Sequence, residues 1–192
     1  MNGEYSLKRT SRTSLSSWSL AWWEALLLLG SGALAVVMHQ YLRTPLGLPG
    51  RHGIEWMALL ILGRTMSRFR GAGSLASVGA SLTSILPIWG AMDDPFIWLI
   101  YLLPGPLMDL AFWLLPKWQG SLLFLALLGG LAHATKPVLR LIIASTMGWL
   151  YGSFRYGVVY PIASHILFGL IGGLLGGGIA LGVRWLSNRN QS

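Results

Sequence analysis

Residues 122–144 place the strongest constraint on how this chain folds. The stretch is almost entirely apolar, and a helix of its length would cross the ~30 Å hydrocarbon core of a bilayer. It nevertheless contains three basic residues, His133, Lys136 and Arg140. Spacings of three and four residues place all three on one face of a continuous helix.

These basic residues allow two interpretations. A basic side chain at mid-membrane depth costs about 3 kcal/mol on the insertion scale, so it needs a compensating environment. Either Lys136 and Arg140 face a cavity filled by water or ligand, or their charged ends extend to the membrane–water interface. The sequence leaves both open.

The composition of the whole chain is that of a membrane protein. Of 192 residues, 54% are hydrophobic and 10% are charged, against about 25% charged in a typical soluble domain. The net charge is +8, but lysines and arginines are grouped at the ends of apolar runs, which indicates membrane topology rather than nucleic-acid binding. The absence of cysteine excludes disulfides, thiolate metal sites and thiol nucleophiles.

The apolar runs predict an all-α integral membrane protein with six transmembrane helices. The expected spans are residues 19–41, 54–63, 71–89, 96–115, 120–147 and 161–183. Prolines should make the fourth and fifth spans kinked or irregular. The transmembrane domain would then cover residues 19–186, between tails at residues 1–18 and 187–192.

The distribution of basic residues predicts the orientation. Lysines and arginines at residues 8–12, 64–70, 117 and 184–189 place both termini in the cytoplasm of a multi-pass protein of the cell membrane. A seventh span, made by splitting residues 120–150, would move the C-terminal arginines outside and is disfavoured. The basic residues that break the rule, and so need another role, are Arg43, Arg51 and Arg155.

Estimated depths sort the polar residues into two layers. The outer layer predicts a substrate pocket open to the outside, and its members are Arg51, His52, Glu55, Trp56, Trp89, His133, Lys136 and Arg140. The inner layer either holds helices together or meets a partner, and its members are Arg64, Arg68, Arg70, Asp109 and Lys117. Asp109 lies about 20 Å from the outer edge, so we expect it to pair with Arg64 rather than with Lys136.

Several roles within the outer layer remain open. Glu55 either contacts the ligand or forms an ion pair with Arg51 or Lys136. His52 and His133 either line the pocket or pack with satisfied hydrogen bonds, whereas His165 is expected to be a packing residue in a glycine-rich helix.

The sequence contains no familiar catalytic motif. His-Glu-x-x-His, Gly-x-Ser-x-Gly and P-loop patterns are all missing, so we expect no enzyme activity and no cofactor. The first span does contain small residues four apart, Ala21 with Ala25 and Ser31 with Ala35. Such spacing favours close helix contact, either within the chain or with a partner.

Together these features resemble the substrate-binding S components of energy-coupling factor transporters. The resemblance rests on the six-span layout, the first-span spacing, a Pro104-Gly105-x-x-x-Asp109 element and a Phe168-Gly-x-x-Gly-Gly173 element. It implies a protein that captures a vitamin-like micronutrient outside the cell. It also implies partners, a transmembrane T subunit and two ATPase subunits, with the T subunit docking on Ala21 and Ala25 or Ser31 and Ala35.

The chemistry of the outer layer narrows the ligand. Three basic side chains on one face favour a carboxylate or phosphate, and the tryptophans favour a flat ring. Two other classes remain open. One is a small membrane enzyme acting on a lipid phosphate held by Arg51, His52, Lys136 and Arg140, with Asp93, Asp94 and Asp109 as the only candidates for its nucleophile or metal ligands. The other is a structural subunit that binds no ligand.

Overall fold

A computed structural model of the chain describes residues 20–41, 48–86, 94–155 and 157–190. Within these ranges the fold is helical, with short 3-10 turns and no strand, which confirms the all-α class. The helices are α1 (Trp22–Tyr41), α2 (Gly53–Met66), α3 (Ala72–Ser84), α4 (Ile97–Leu102), α5 (Pro104–Leu114), α6 (Leu122–Met147) and α7 (Val159–Arg189). The predicted N-terminal tail and Trp89 lie outside the described residues.

Four helical segments of the described residues are long and apolar enough to cross a membrane. They are α1, the consecutive pair α4–α5, α6 and α7. The helices α2 and α3 have 14 and 13 residues, so each is about 20 Å long and shorter than the ~30 Å hydrocarbon core. The structure thus supports a multi-pass membrane protein, while the number of six spans remains a prediction.

Prolines affect the predicted fourth and fifth spans differently. The fourth is divided at Leu103, and Pro104 occupies the first turn of α5, where a missing backbone N–H costs no helical hydrogen bond. The fifth is a single helix of 26 residues with Pro137 inside it. α6 thus continues for ten residues beyond Pro137, and the kink predicted there stays a prediction.

Polar contacts join several helix termini at one end of the bundle. Ser67, in the turn after α2, donates a hydrogen bond of 2.5 Å to Glu24 near the start of α1. Arg184, near the end of α7, donates to the backbone carbonyl of Thr65. We call this region the arginine end.

The expected ion pair of the inner layer is also at the arginine end. Arg64 Nε lies 2.7 Å from Asp109 Oδ1, which joins α2 to α5. Asp109 additionally accepts hydrogen bonds from the backbone N–H groups of Gly73 (3.0 Å) and Ser74 (2.7 Å). It therefore caps the start of α3 from another helix, because the first N–H groups of a helix have no partner within it.

The Pro104-Gly105-x-x-x-Asp109 element gains a physical explanation from this packing. A Cβ atom on Gly105 would lie 2.7 Å from the backbone carbon of Gly73, so only glycine lets α5 approach α3 so closely. Asp109 follows one helical turn later and reaches the N-terminus of α3. The element thus positions one helix against the end of another.

The packing of α1 favours one of the two interpretations of the Ser31 and Ala35 spacing, close contact within the chain. Ala35 is fully buried, so it cannot face a T subunit in this arrangement. Ser31 is half-buried, and its hydroxyl donates 2.7 Å to the Leu28 carbonyl in its own helix. The spacing of Ser31 and Ala35 therefore serves packing within the chain, whereas Ala21 is exposed and Ala25 half-buried, so docking there stays a prediction.

Candidate ligand-binding cavity

The second half of α6 carries basic side chains into the bundle opposite the arginine end. His133 and Lys136 are buried, and Arg140, one turn further on, is half-buried. The helix reaches this depth because α6 and α7 pack closely through glycines. A Cβ atom on Gly169 would lie 2.7 Å from the His133 Cβ atom. The histidine of α6 is thus held directly against α7.

All four histidines of the chain gather in this region, which we call the histidine end. The rings of His39 and His52 lie 4.0 Å apart between centroids, and those of His133 and His165 lie 4.7 Å apart. The Trp56 ring is 5.4 Å from His133 in an edge-to-face arrangement. Residues from α1, α2, α6 and α7 therefore converge here.

Two of these imidazoles are fixed by backbone carbonyls. His133 Nε2 lies 2.9 Å from the Gly50 carbonyl oxygen, and His165 Nδ1 lies 2.6 Å from that of Pro161. Because a carbonyl only accepts, each of these nitrogens carries the proton. Gly50 has a φ of 79°, and a Cβ atom there would lie 2.7 Å from His165, so glycine is required on both counts.

Lys136 is the most unusual side chain of the histidine end. Its relative exposure is 9%, and no carboxylate of the described residues lies within 4 Å of its ammonium group. Its Nζ instead lies 5.4 Å from the Tyr101 ring centroid and 6.0 Å from that of Trp56. These cation–π contacts compensate a buried ammonium only in part.

Arg140 differs from Lys136 because it has an acidic neighbour. Its Nη2 atom lies 3.3 Å from Asp94 Oδ2, while its guanidinium lies 4.9 Å from the Tyr151 ring. Tyr151 donates a hydrogen bond of 3.3 Å to Asp94. Burial and the nearby Asp94 raise the pKa of Tyr151 to about 12, so its hydroxyl stays protonated and remains a donor. Arg140 Nε is buried without a hydrogen-bond partner.

A cavity of about 500 Å³ opens above these groups, and we call it the histidine cavity. The described residues that line it are His39, Leu48, Pro49, Gly50, Arg51, His52, Lys136, Arg140, Gly152, Ser153, Arg155, Tyr160 and His165. This lining contains cationic and imidazole groups but no aspartate or glutamate. The volume is in the range of small-molecule sites. The positive charge of the lining favours the binding of an anion.

The structure brings together only part of the predicted pocket. Arg51, His52, Lys136 and Arg140 line the cavity, whereas His133 and Trp56 are buried outside its lining. Glu55 is also outside the lining, and neither of its expected ion pairs forms among the described residues. Its Oε2 atom is buried without a hydrogen-bond partner.

Sequence reasoning missed other members of this region. His39, Arg155 and Tyr160 line the cavity, and Asp94 approaches it through Arg140. His165, expected to be a packing residue, is buried and hydrogen-bonded as expected but also borders the cavity. A signal for His39 existed: it ends an apolar span at the depth of His52, and Arg155 had already been noted as a basic residue on the outer side.

The histidines do not form a metal centre in this arrangement. Among the described residues, no group of three or more histidine, aspartate or glutamate side chains is placed to hold one ion. The rings contact each other in pairs, and two ring nitrogens bond carbonyls. The histidine cavity therefore offers hydrogen-bond donors and positive charge.

Comparisons with known proteins identify no relative. The sequence matches no protein-family model, and neither curated proteins nor solved structures give a significant match. Functional inference therefore depends on the chemistry of the cavity and on the sequence features that carry the S-component resemblance.

Proposed function

We propose that the chain is a membrane-embedded substrate-binding subunit that holds an anionic solute in the histidine cavity. The observation that carries this proposal is Lys136, a buried ammonium bordering the cavity without a carboxylate partner among the described residues. Burying an unpaired charge is strongly unfavourable. An anionic ligand would supply the missing partner.

The surroundings of Lys136 favour a compact ligand with one anionic group. Arg140 Nε is a second buried donor without a partner, and Arg51 stands at the lining with its Nε 3.3 Å from His52 Nε2. Guanidinium and ammonium groups together bind carboxylates and phosphates through charge-assisted hydrogen bonds. Imidazole rings and Tyr160 add flat surfaces that suit a ring-containing micronutrient.

The chain would work as an S component of an energy-coupling factor importer. Support comes from the sequence resemblance and from a cavity lined by cationic and imidazole groups at one end of a helical bundle. A T subunit and two ATPase subunits would supply the energy, since the sequence has no P-loop. In this proposal six helices cross the cell membrane, both termini are cytoplasmic, and the histidine cavity opens outward.

Labelling of single cysteines tests this orientation. The chain has no cysteine, so Glu4→Cys, Met66→Cys and Asn190→Cys each introduce a unique target. We expect a membrane-impermeant maleimide to modify all three only from the cytoplasmic side, because lysines and arginines flank these positions. Modification of residue 190 from outside would support seven spans, and modification of residue 66 from outside would contradict the placement of the α2–α3 turn.

Removal of the Lys136 charge tests ligand binding. Lys136→Met should weaken binding of an anionic micronutrient by about 2 kcal/mol or more, roughly 30-fold, because a charge-assisted hydrogen bond is lost from a desolvated site. The variant should insert at least as well as the wild type, since a buried charge has gone. Calorimetry with a panel of carboxylate- and phosphate-bearing micronutrients measures the difference.

Lys117→Met is the matched control for this experiment. Lys117 is exposed, follows α5 and lies outside the histidine cavity, so the same substitution there should leave affinity unchanged. Arg140→Met should resemble Lys136→Met. Equal affinity in the wild type and in both folded cavity variants would overturn the proposed site.

A further inference from the structure

A second and larger cavity lies at the arginine end, among the ends of α2, α5 and α7 and the start of α3. Its volume is about 1060 Å³, and we call it the arginine cavity. Arginines from three segments line it: Arg64 from α2, Arg68 and Arg70 from the turn after α2, and Arg184 from α7. The proposed substrate site at the histidine end does not use this cavity.

The carboxylate of the arginine cavity already has partners within the protein. Asp109, the only carboxylate among the described lining residues, pairs with Arg64 at 2.7 Å. Its oxygens also accept from the Gly73 and Ser74 backbone and from the Ser74 hydroxyl, at 3.0, 2.7 and 2.7 Å. Asp109 thus neutralises the charge of one arginine and caps the start of α3. The other arginines leave the lining with a clear excess of positive charge.

Arg68 and Arg184 carry much of this excess. Arg68 is exposed, and Arg184 contacts the neutral carbonyl of Thr65. Neither has a carboxylate within 4 Å among the described residues. Two guanidinium groups bordering one cavity form an anion-binding arrangement, and guanidinium binds phosphate, like carboxylate, in bidentate fashion.

The lining of the arginine cavity also includes apolar side chains that are exposed at the protein surface. Leu110 and Trp113 on α5 are 52% and 68% exposed, and Met66 and Val183 are 44% and 45% exposed. A free phosphate ion would gain nothing from these side chains. A lipid would gain from them, because its acyl chains pack against apolar side chains while its headgroup binds the arginines.

The position of the cavity in the bundle agrees with this chemistry. It lies at the ends of α5 and α7, which belong to two of the segments long and apolar enough to cross a membrane. The ends of such segments lie at the level of lipid headgroups, where tryptophans such as Trp113 are enriched. Basic pockets between helices at this level bind anionic headgroups.

We propose that the arginine cavity binds the phosphate headgroup of an anionic phospholipid. Arg68 and Arg184 contact the phosphate, and the first acyl segments lie along Leu110 and Trp113. The lipid would hold the α2–α3 turn to the end of α7, which the Arg184 contact with Thr65 already brings together. This site is independent of the substrate proposed for the histidine cavity.

Native mass spectrometry of the whole chain in a neutral detergent tests the site. The probes are phosphatidylglycerol, zwitterionic phosphatidylcholine and inorganic phosphate, each titrated separately. We expect one phosphatidylglycerol to bind with clear preference over phosphatidylcholine. Arg68→Gln with Arg184→Gln should weaken that binding about 25-fold, since a basic residue near an anionic lipid surface contributes roughly fivefold.

Lys117→Gln is the matched control, because Lys117 is exposed at the same end but does not line the cavity. It should bind phosphatidylglycerol like the wild type. Equal loss in the control and the double variant would show general surface charge and overturn the site. Inorganic phosphate binding as tightly as the lipid would overturn the lipid assignment, and equal binding of both lipids would overturn headgroup recognition. Thermal unfolding without lipid verifies that the double variant is folded.

Discussion

Replacing Asp109 with alanine is expected to destabilise the bundle by about 3–5 kcal/mol, the cost of removing one partner of a buried ion pair. The side chains of Arg64 and Asp109 are only 6% and 13% exposed, so water compensates the lost contact only in part. The same change removes the acceptor for the first N–H groups of α3. Unfolding in mixed micelles with increasing SDS measures the loss.

A double variant separates the effect of the unpaired charge from the effect of the lost helix cap. Arg64→Met removes the guanidinium that Asp109→Ala would leave unpaired, so the combination should be more stable than Asp109→Ala alone. It should remain less stable than the wild type, because Gly73 and Ser74 still lack their acceptor. If Asp109→Ala alone unfolds at the same SDS concentration as the wild type, the ion pair has no structural role.

Replacing Gly173 with alanine is also expected to destabilise the bundle, with a loss of about 2–3 kcal/mol from overpacking. A Cβ atom there would lie 2.8 Å from the Ala126 Cα atom and 3.0 Å from its carbonyl oxygen. These are backbone atoms of α6, which cannot move aside as a flexible side chain can. The two helices would have to separate.

Gly178 provides a control in the same helix. Apart from its neighbours in the chain and the nearby backbone of α7, no atom lies within 4 Å of a Cβ built on Gly178, so Gly178→Ala should change stability by no more than about 1 kcal/mol. Thermal unfolding of both variants in one detergent is the measurement. Similar transition temperatures for Gly173→Ala and Gly178→Ala would mean that α6 and α7 do not pack as closely as described.

The sequence predicted the long helices well because their signal is local. Apolar runs of membrane length identified α1, the α4–α5 pair, α6 and α7, with ends displaced by a few residues. The helices α2 and α3 were harder to predict from the sequence. They are short and rich in small residues, and their packing against α7 and α1 depends on distant parts of the chain.

The depth of a residue in the membrane was more predictable than the direction in which its side chain points around the helix axis. Counting residues separated the Arg64–Asp109 pair from Lys136, and the structure contains that pair. The direction in which a side chain points depends on the rotation of its helix. For this reason the sequence left open whether Ala35 faces a partner or the bundle, where the structure buries it, and it grouped Glu55 with the pocket residues although Glu55 does not line the cavity.

Loop residues were the least predictable part of the site. Asp94 and Tyr151 are 57 positions apart in sequence but share a hydrogen bond beside Arg140. Their meeting depends on how two connections fold over the helix ends, and no periodic pattern encodes it. Gly50 was identified only as part of a loop, although its left-handed backbone lets the carbonyl reach His133.

The small molecules released from the purified protein show whether the histidine cavity binds an anionic solute. The protein would be isolated from its native membrane, denatured, and the released compounds identified by mass spectrometry for the wild type, Lys136→Met and Lys117→Met. We expect one anionic compound in near-stoichiometric amount from the wild type and Lys117→Met, and its loss from Lys136→Met. Release of no anionic compound from the wild type, or of the same amount from all three proteins, would contradict this expectation.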